Sequence, residues 1–145
     1  MKSIVIVAVS GAVLLAAAGV GRTEGKAVVS PTGDLKWTDS KAIPGAKRAG
    51  LWGDPAAGAY ASLNRLAGGT VLPNHWHSFD HKVMMVSGTI AFTIDGATKD
   101  LAAGSYAMIP AKVPHSATCK AGADCMYFEE SSGKDDMVLA EGAKK

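Results

Sequence analysis

From residue 50 to residue 130 apolar and polar side chains alternate over short stretches, each closed by a turn signal. The clearest stretch starts at His81. His81, Val83 and Met85 share one face, and Lys82, Met84 and Val86 share the other, which is the period of a strand. Ser87-Gly88 turns the chain, and Ile90, Phe92 and Ile94 then lie on one face with Ala91 and Thr93 opposite. Asp95-Gly96 is a two-residue hairpin signal. Leu101 leads into the turn Ala102-Ala103-Gly104, and Tyr106 to Ile109 forms a short strand that Pro110 stops. Upstream, Leu51-Trp52-Gly53-Asp54-Pro55 reads as a strand ending in a turn. Ala59 to Leu66 reads as a strand entering Ala67-Gly68-Gly69, and Thr70 to His77 as the next. Downstream, His115 to Cys119 and Cys125 to Glu129 read as a hairpin. Short strands at this spacing predict an all-β sandwich or barrel.

The flanks differ. Residues 23–49 are polar and broken by Gly and Pro, and read as an N-terminal arm with one strand around Leu35 to Thr38. Residues 131–145 read as a loose polar tail in which Asp135 and Asp136 are solvated. Residues 1–22 have the form of a signal peptide: Lys2, an uncharged apolar run from Ile4 to Val20, and small residues at Ala16, Ala17, Ala18 and Gly19. Cleavage is expected between residues 18 and 27, and export to a periplasmic or extracellular space follows. The alternative is a membrane anchor, for which the run is slightly short and is weakened by Ser10 and Gly11. No cysteine stands near the cleavage region, which excludes a lipoprotein.

Composition fits one globular domain: 145 residues, 48% hydrophobic and 19% charged. Seventeen Gly and six Pro favour many turns. The formal charge of +2 shrinks further once Lys2 and Arg22 leave with the leader. No basic stripe marks a nucleic-acid partner, and no patch suits an anionic membrane. There is no internal repeat, no Gly-rich phosphate loop and no nucleophile elbow.

All four histidines fall between residues 75 and 115. His75 and His77 at i and i+2 on a strand put both rings on one face, with Cα atoms about 6.5–7 Å apart. Such rings can converge on one ion at metal–nitrogen distances near ~2.0–2.1 Å. A bend after Ser78-Phe79-Asp80 would bring in His81, and His115 would close the site from another strand.

These residues resemble the cupin superfamily. Its first motif, G-x5-H-x-H-x3,4-E-x6-G, is matched by Gly69, His75, His77, His81 and Gly88, with His81 where the family has Glu. Its second motif, G-x5-P-x-G-x2-H-x3-N, is matched by Gly104, Pro110 and His115, with Lys112 in place of Gly and Cys119 in place of Asn. The resemblance implies a single cupin (RmlC-like) jelly-roll barrel, or double-stranded β-helix, holding one divalent transition metal on His75, His77, His81 and His115. Four neutral imidazoles leave the ion at +2, which favours an anionic or enolate-like small-molecule ligand. Imidazole ligation admits Zn, Fe and Mn, then Cu and Ni, and disfavours Mg and Ca.

Cys119 and Cys125 are the only cysteines. In an oxidising compartment they are expected to form a cross-strand disulfide, which the chain-entropy model values at roughly 2 kcal/mol. Two reduced thiols are the competing reading. Asp80 and Glu129 are candidates to orient a ligand imidazole. Met85, Phe92, Tyr106 and Met108 are candidate pocket residues, while Trp76 alternates outward. No general base stands out once the histidines are committed to metal. Function therefore divides between a small oxygenase-type enzyme and a non-catalytic metal- or ligand-binding sensor, with homodimerisation through an outer sheet open. An isomerase or epimerase acting on sugars is a third, weaker reading.

Overall fold

A computed structural model describes residues 27–140. The leader read from residues 1–22 lies outside the described residues. A 3-10 turn at Thr32–Asp34 precedes eleven strands: β1 (Trp37–Asp39), β2 (Ala46–Gly53), β3 (Tyr60–Leu66), β4 (Val71–Trp76), β5 (His81–Ser87), β6 (Thr89–Ile94), β7 (Ala97–Ala102), β8 (Tyr106–Ile109), β9 (His115–Cys119), β10 (Cys125–Ser131) and β11 (Val138–Leu139). They form two antiparallel sheets, ordered β1-β2-β3-β10-β5-β8 and β11-β4-β9-β6-β7. This is the all-β architecture that the alternation predicts, in the RmlC-like cupin form that the motif resemblance implies.

The core lies between the sheets because each strand turns alternate residues inward. On β10 the inward residues Cys125, Tyr127, Glu129 and Ser131 are buried, and on β9 so are His115, Ala117 and Cys119. Leu66, Met85, Ile90, Ala117 and Tyr127 pack around Cys119 and Cys125, both wholly buried. Those two cysteines are bonded, with Cα atoms 5.8 Å apart. Gly88 ends the first histidine motif for a steric reason. It has φ +74°, and a Cβ there would meet the Asp124 carbonyl oxygen at 2.6 Å and the Cys125 Cα at 2.8 Å.

Both flanks are more ordered than their polarity suggests. The stretch read as an arm supplies β1 and the first half of β2, which pair through Trp37↔Ala49 and Asp39↔Lys47. The stretch read as a loose tail supplies β11, which pairs with β4 through Val138↔Trp76 and Leu139↔His75. Backbone pairing drives both additions, and it leaves little trace in side-chain hydropathy. Gly133 lets the C-terminal segment pass over Phe79, since a Cβ there would fall 2.3 Å from the ring.

Candidate metal centre

Strand register assembles the site. His75 on β4 stands opposite His115 on β9, so two residues forty apart in sequence become cross-strand neighbours. Their ring centroids lie 4.3 Å apart. His77 follows β4 directly, its centroid 4.8 Å from that of His75 and 5.3 Å from that of His115. One nitrogen from each of these three residues lies within 4.8 Å of the other two.

Four ligands were expected, and the structure gathers three. His81 begins β5 in the opposite sheet and stays outside the cluster, stacked on His77 with centroids 3.9 Å apart and planes 15° from parallel. Its Nδ1 faces Glu129 Oε1 at 3.2 Å. That contact, together with the stack, holds the ring beside the cluster rather than within it. His81 Nε2 is buried and has no hydrogen-bond partner.

The proton positions follow from the partners. His75 Nδ1 donates to the Pro73 carbonyl at 2.6 Å and His115 Nδ1 to the Val113 carbonyl at 2.9 Å. His77 Nδ1 donates to the Asp136 carbonyl. Carbonyls only accept, so each neutral ring carries its proton on Nδ1 and a lone pair on Nε2. His75 Nε2 and His77 Nε2 are 3.2 Å apart. Two lone pairs at that distance repel unless a cation or proton lies between them. A divalent ion fits this donor set: neutral imidazoles, each held by an outer partner on the far nitrogen.

Burial reinforces the neutral form. It pushes the His75 pKa down to about 4, with the neighbouring His115 and His77 adding to the effect against the bond to Pro73. His77 and His115 are also lowered, chiefly by burial. Folded pKa values below the unfolded ~6.5 mean that the unfolded chain binds more protons. Metal-stripped protein should therefore keep its stability above about pH 6.5. It should lose up to about 1.4 kcal/mol per pH unit through His75 alone as pH falls toward 4. Urea unfolding across that range measures the slope, and a flat profile would contradict the buried neutral cluster.

A polar network backs His81. Tyr60 Oη donates to Glu129 Oε1 at 2.7 Å, and Asn64 Nδ2 donates to Glu129 Oε2 at 3.2 Å and to Ser62 Oγ at 3.0 Å. Burial alone would raise the Glu129 pKa, but the His81 and Tyr60 hydrogen bonds and the charges of His81 and Arg48 hold it well below the usual carboxylate range. Arg48 pairs with Asp135 and donates to Asn64.

Several sequence expectations need correction here. Asp135 and Asp136 are not free tail residues: Asp136 also receives the Ser78 N–H at 2.9 Å, so the C-terminal segment holds His77 in place. Asp80 accepts from the Ala111 N–H at 2.8 Å instead of from an imidazole. Met85 and Phe92 line the cavity beneath the histidines, whereas Tyr106 and Met108 are 55% and 52% exposed. On β8 the inward places belong to Ala107 and Ile109, one residue out of phase with the expectation. No motif in the sequence singles out Tyr60, Asn64 or Arg48 as part of the site. A usable signal for the first two was the polar pair Ser62 and Asn64 alternating with Tyr60 and Leu66 on one strand face.

The chain belongs to the ChrR cupin-like domain family, whose model matches residues 25–132. Among solved structures it is similar to the polyketide cyclase RemF from Streptomyces resistomycificus, at 17% identity over 80% of this chain and 89% of that one, with a TM-score of 0.68. It is also similar to an RmlC-like cupin from Shewanella frigidimarina, at 24% identity over 71% and 88%, with a TM-score of 0.60. A third match is the Rhodobacter sphaeroides complex of SigE with the anti-sigma ChrR, at 21% identity over 70% of this chain and 50% of that one, with a TM-score of 0.56. These likenesses establish the fold. No curated protein matches the chain.

Proposed function

We propose that this protein holds one divalent transition metal on His75, His77 and His115, with His81 stacked beside the site, and binds a small molecule next to it. The observation that carries the reading is the set of three Nδ1 atoms committed to backbone carbonyls, which leaves three Nε2 lone pairs turned to other use. Zinc, iron and manganese rank ahead of copper and nickel for such a donor set.

When bound, the ion supplies Lewis acidity and a place for an oxygen donor. The chain's own residues do the rest. Pro73, Val113 and Asp136 fix the three rings of the cluster, and Glu129 fixes His81 beside them. Small oxygenase-type catalysis is the reading we put first, because Glu129, the buried carboxylate lining the cavity, is already engaged by His81, Tyr60 and Asn64. A non-catalytic sensor is the second reading, supported by membership of a family described by the ChrR domain. Export through the leader at residues 1–22 belongs to the same proposal, supported by the buried Cys119–Cys125 bond.

Elemental analysis of protein from its producing cells should find one transition-metal ion per chain. Oxygen uptake with a panel of small diketones then separates the two functions. Uptake supports the enzyme. A loaded protein that binds ligands without consuming oxygen supports the sensor, and less than a stoichiometric ion overturns the metal reading.

A further inference from the structure

The cavity under the histidines has a volume of about 570 Å³, within the ~300–1,000 Å³ usual for small-molecule sites. Its lining includes Ser40 to Ile43 and Asp135 to Met137 on one hand and the apolar Leu72, Val83, Met85, Ile90, Phe92 and Leu101 on the other. Those six side chains offer no hydrogen bond. A hydroxyl placed against them would lose its water with nothing in exchange.

Arg48, Asn64 and Glu129 also line the cavity, but each is already bonded within the protein: Arg48 to Asp135 and Asn64, and Asn64 to Ser62 and Glu129. One further polar group is not so engaged. Tyr127 faces inward from β10, is 9% exposed and lines the same cavity. Its hydroxyl bonds to no protein group among the described residues, unlike that of Tyr60, which bonds to Glu129 and Asp135. Register places it well below the histidines: Ser131 stands opposite His81, Glu129 opposite Val83 and Tyr127 opposite Met85. Tyr127 is thus four residues along the strand from the His81 level, about 13 Å of backbone. Burial and the charge of Glu129 raise its pKa, so the phenol keeps its proton and acts as a donor.

We infer that the cavity takes a small amphipathic monoacid, its anionic oxygen at the histidine end, its apolar body along the wall, and one acceptor oxygen on that body bonded by Tyr127 Oη. Only the anionic head depends on the metal proposed above. The apolar body and the Tyr127 contact stand on the cavity itself. Hydroxyls laid along the Leu72, Phe92 and Leu101 wall would lose hydration, so a hydroxyl-rich sugar acid should bind more weakly than a matched plain carboxylate.

The test is calorimetric binding to the full chain loaded with zinc. The probes are straight-chain carboxylates from butyrate to decanoate, matched acids with one mid-chain keto oxygen, and gluconate. Affinity should rise about fourfold per methylene until the chamber fills. At least one keto acid should bind about fivefold better than its plain match. Tyr127→Phe should abolish that keto advantage and keep both the methylene series and the zinc stoichiometry; the retained series also shows that the variant is folded. Gluconate binding as tightly as the best carboxylate, a flat methylene series, or a keto advantage unchanged in Tyr127→Phe would overturn the inference. Zinc content of the same samples separates the two readings. Protein that takes up no zinc yet shows the series and the Tyr127 effect loses the metal and keeps the amphipathic ligand. Protein with one zinc and no series does the reverse.

Discussion

Replacing His75 with alanine should strip the protein of its metal and leave the barrel folded. His75 is 2% exposed, lies opposite His115 in the strand register and places its Nε2 3.2 Å from that of His77. Its loss removes a donor at the centre of the cluster, and His115→Ala removes the donor facing it. Loss of an outer partner alone lowers metal affinity by about 10–100-fold, so loss of a ligand should exceed about 100-fold. Competition with a chromophoric chelator reads this directly, and circular dichroism confirms that the strands persist. Full stoichiometry in either variant would refute the site. His81→Ala should weaken binding less, because His81 stands outside the three-histidine cluster, while His81→Glu, which restores the family residue, should bind with a changed metal preference. Unchanged affinity and unchanged preference in these two variants would confine the ion to three imidazoles.

The strands that carry the site were legible because their inward and outward faces differ in kind. His81, Val83 and Met85 alternate with Lys82, Met84 and Val86, and the first group is turned inward while Lys82, Met84 and Val86 are exposed. The histidine spacing pointed to the three residues that cluster because motif geometry survives in sequence. What sequence does not carry is the angle at which a ring arrives. His81 sits at a ligand position, but its orientation depends on Glu129, forty-eight residues away, and on the stack with His77. The strand β8 failed for a different reason. Its outward residues Tyr106 and Met108 are larger and more apolar than the inward Ala107, so hydropathy pointed the wrong way. The C-terminal segment failed because it acts through backbone. Asp136 serves His77 with its carbonyl oxygen, a group that every residue possesses and no composition reveals.

The second large effect is expected at Glu129, which lies outside the metal cluster altogether. Its carboxylate accepts from Tyr60, Asn64 and His81 in a site only 6% exposed. In Glu129→Ala, Tyr60 keeps its bond to Asp135 and Asn64 keeps its bond to Ser62. His81 Nδ1 keeps nothing, and its Nε2 is already without a partner. A buried imidazole with neither nitrogen satisfied, beside the void left by the side chain, should cost about 3–5 kcal/mol of unfolding free energy in metal-free protein. Its neighbour offers the control. Glu130 points outward and pairs with Lys82 at 2.9 Å on the surface, so Glu130→Ala should cost no more than about 1 kcal/mol. Equal midpoints for the two variants in urea would show that the buried network contributes no stability. Glu129→Gln refines the reading, since its single carbonyl can still accept from His81 while its amide opposes Tyr60 or Asn64 with a second donor. Its stability should fall between those of the parent and the alanine variant.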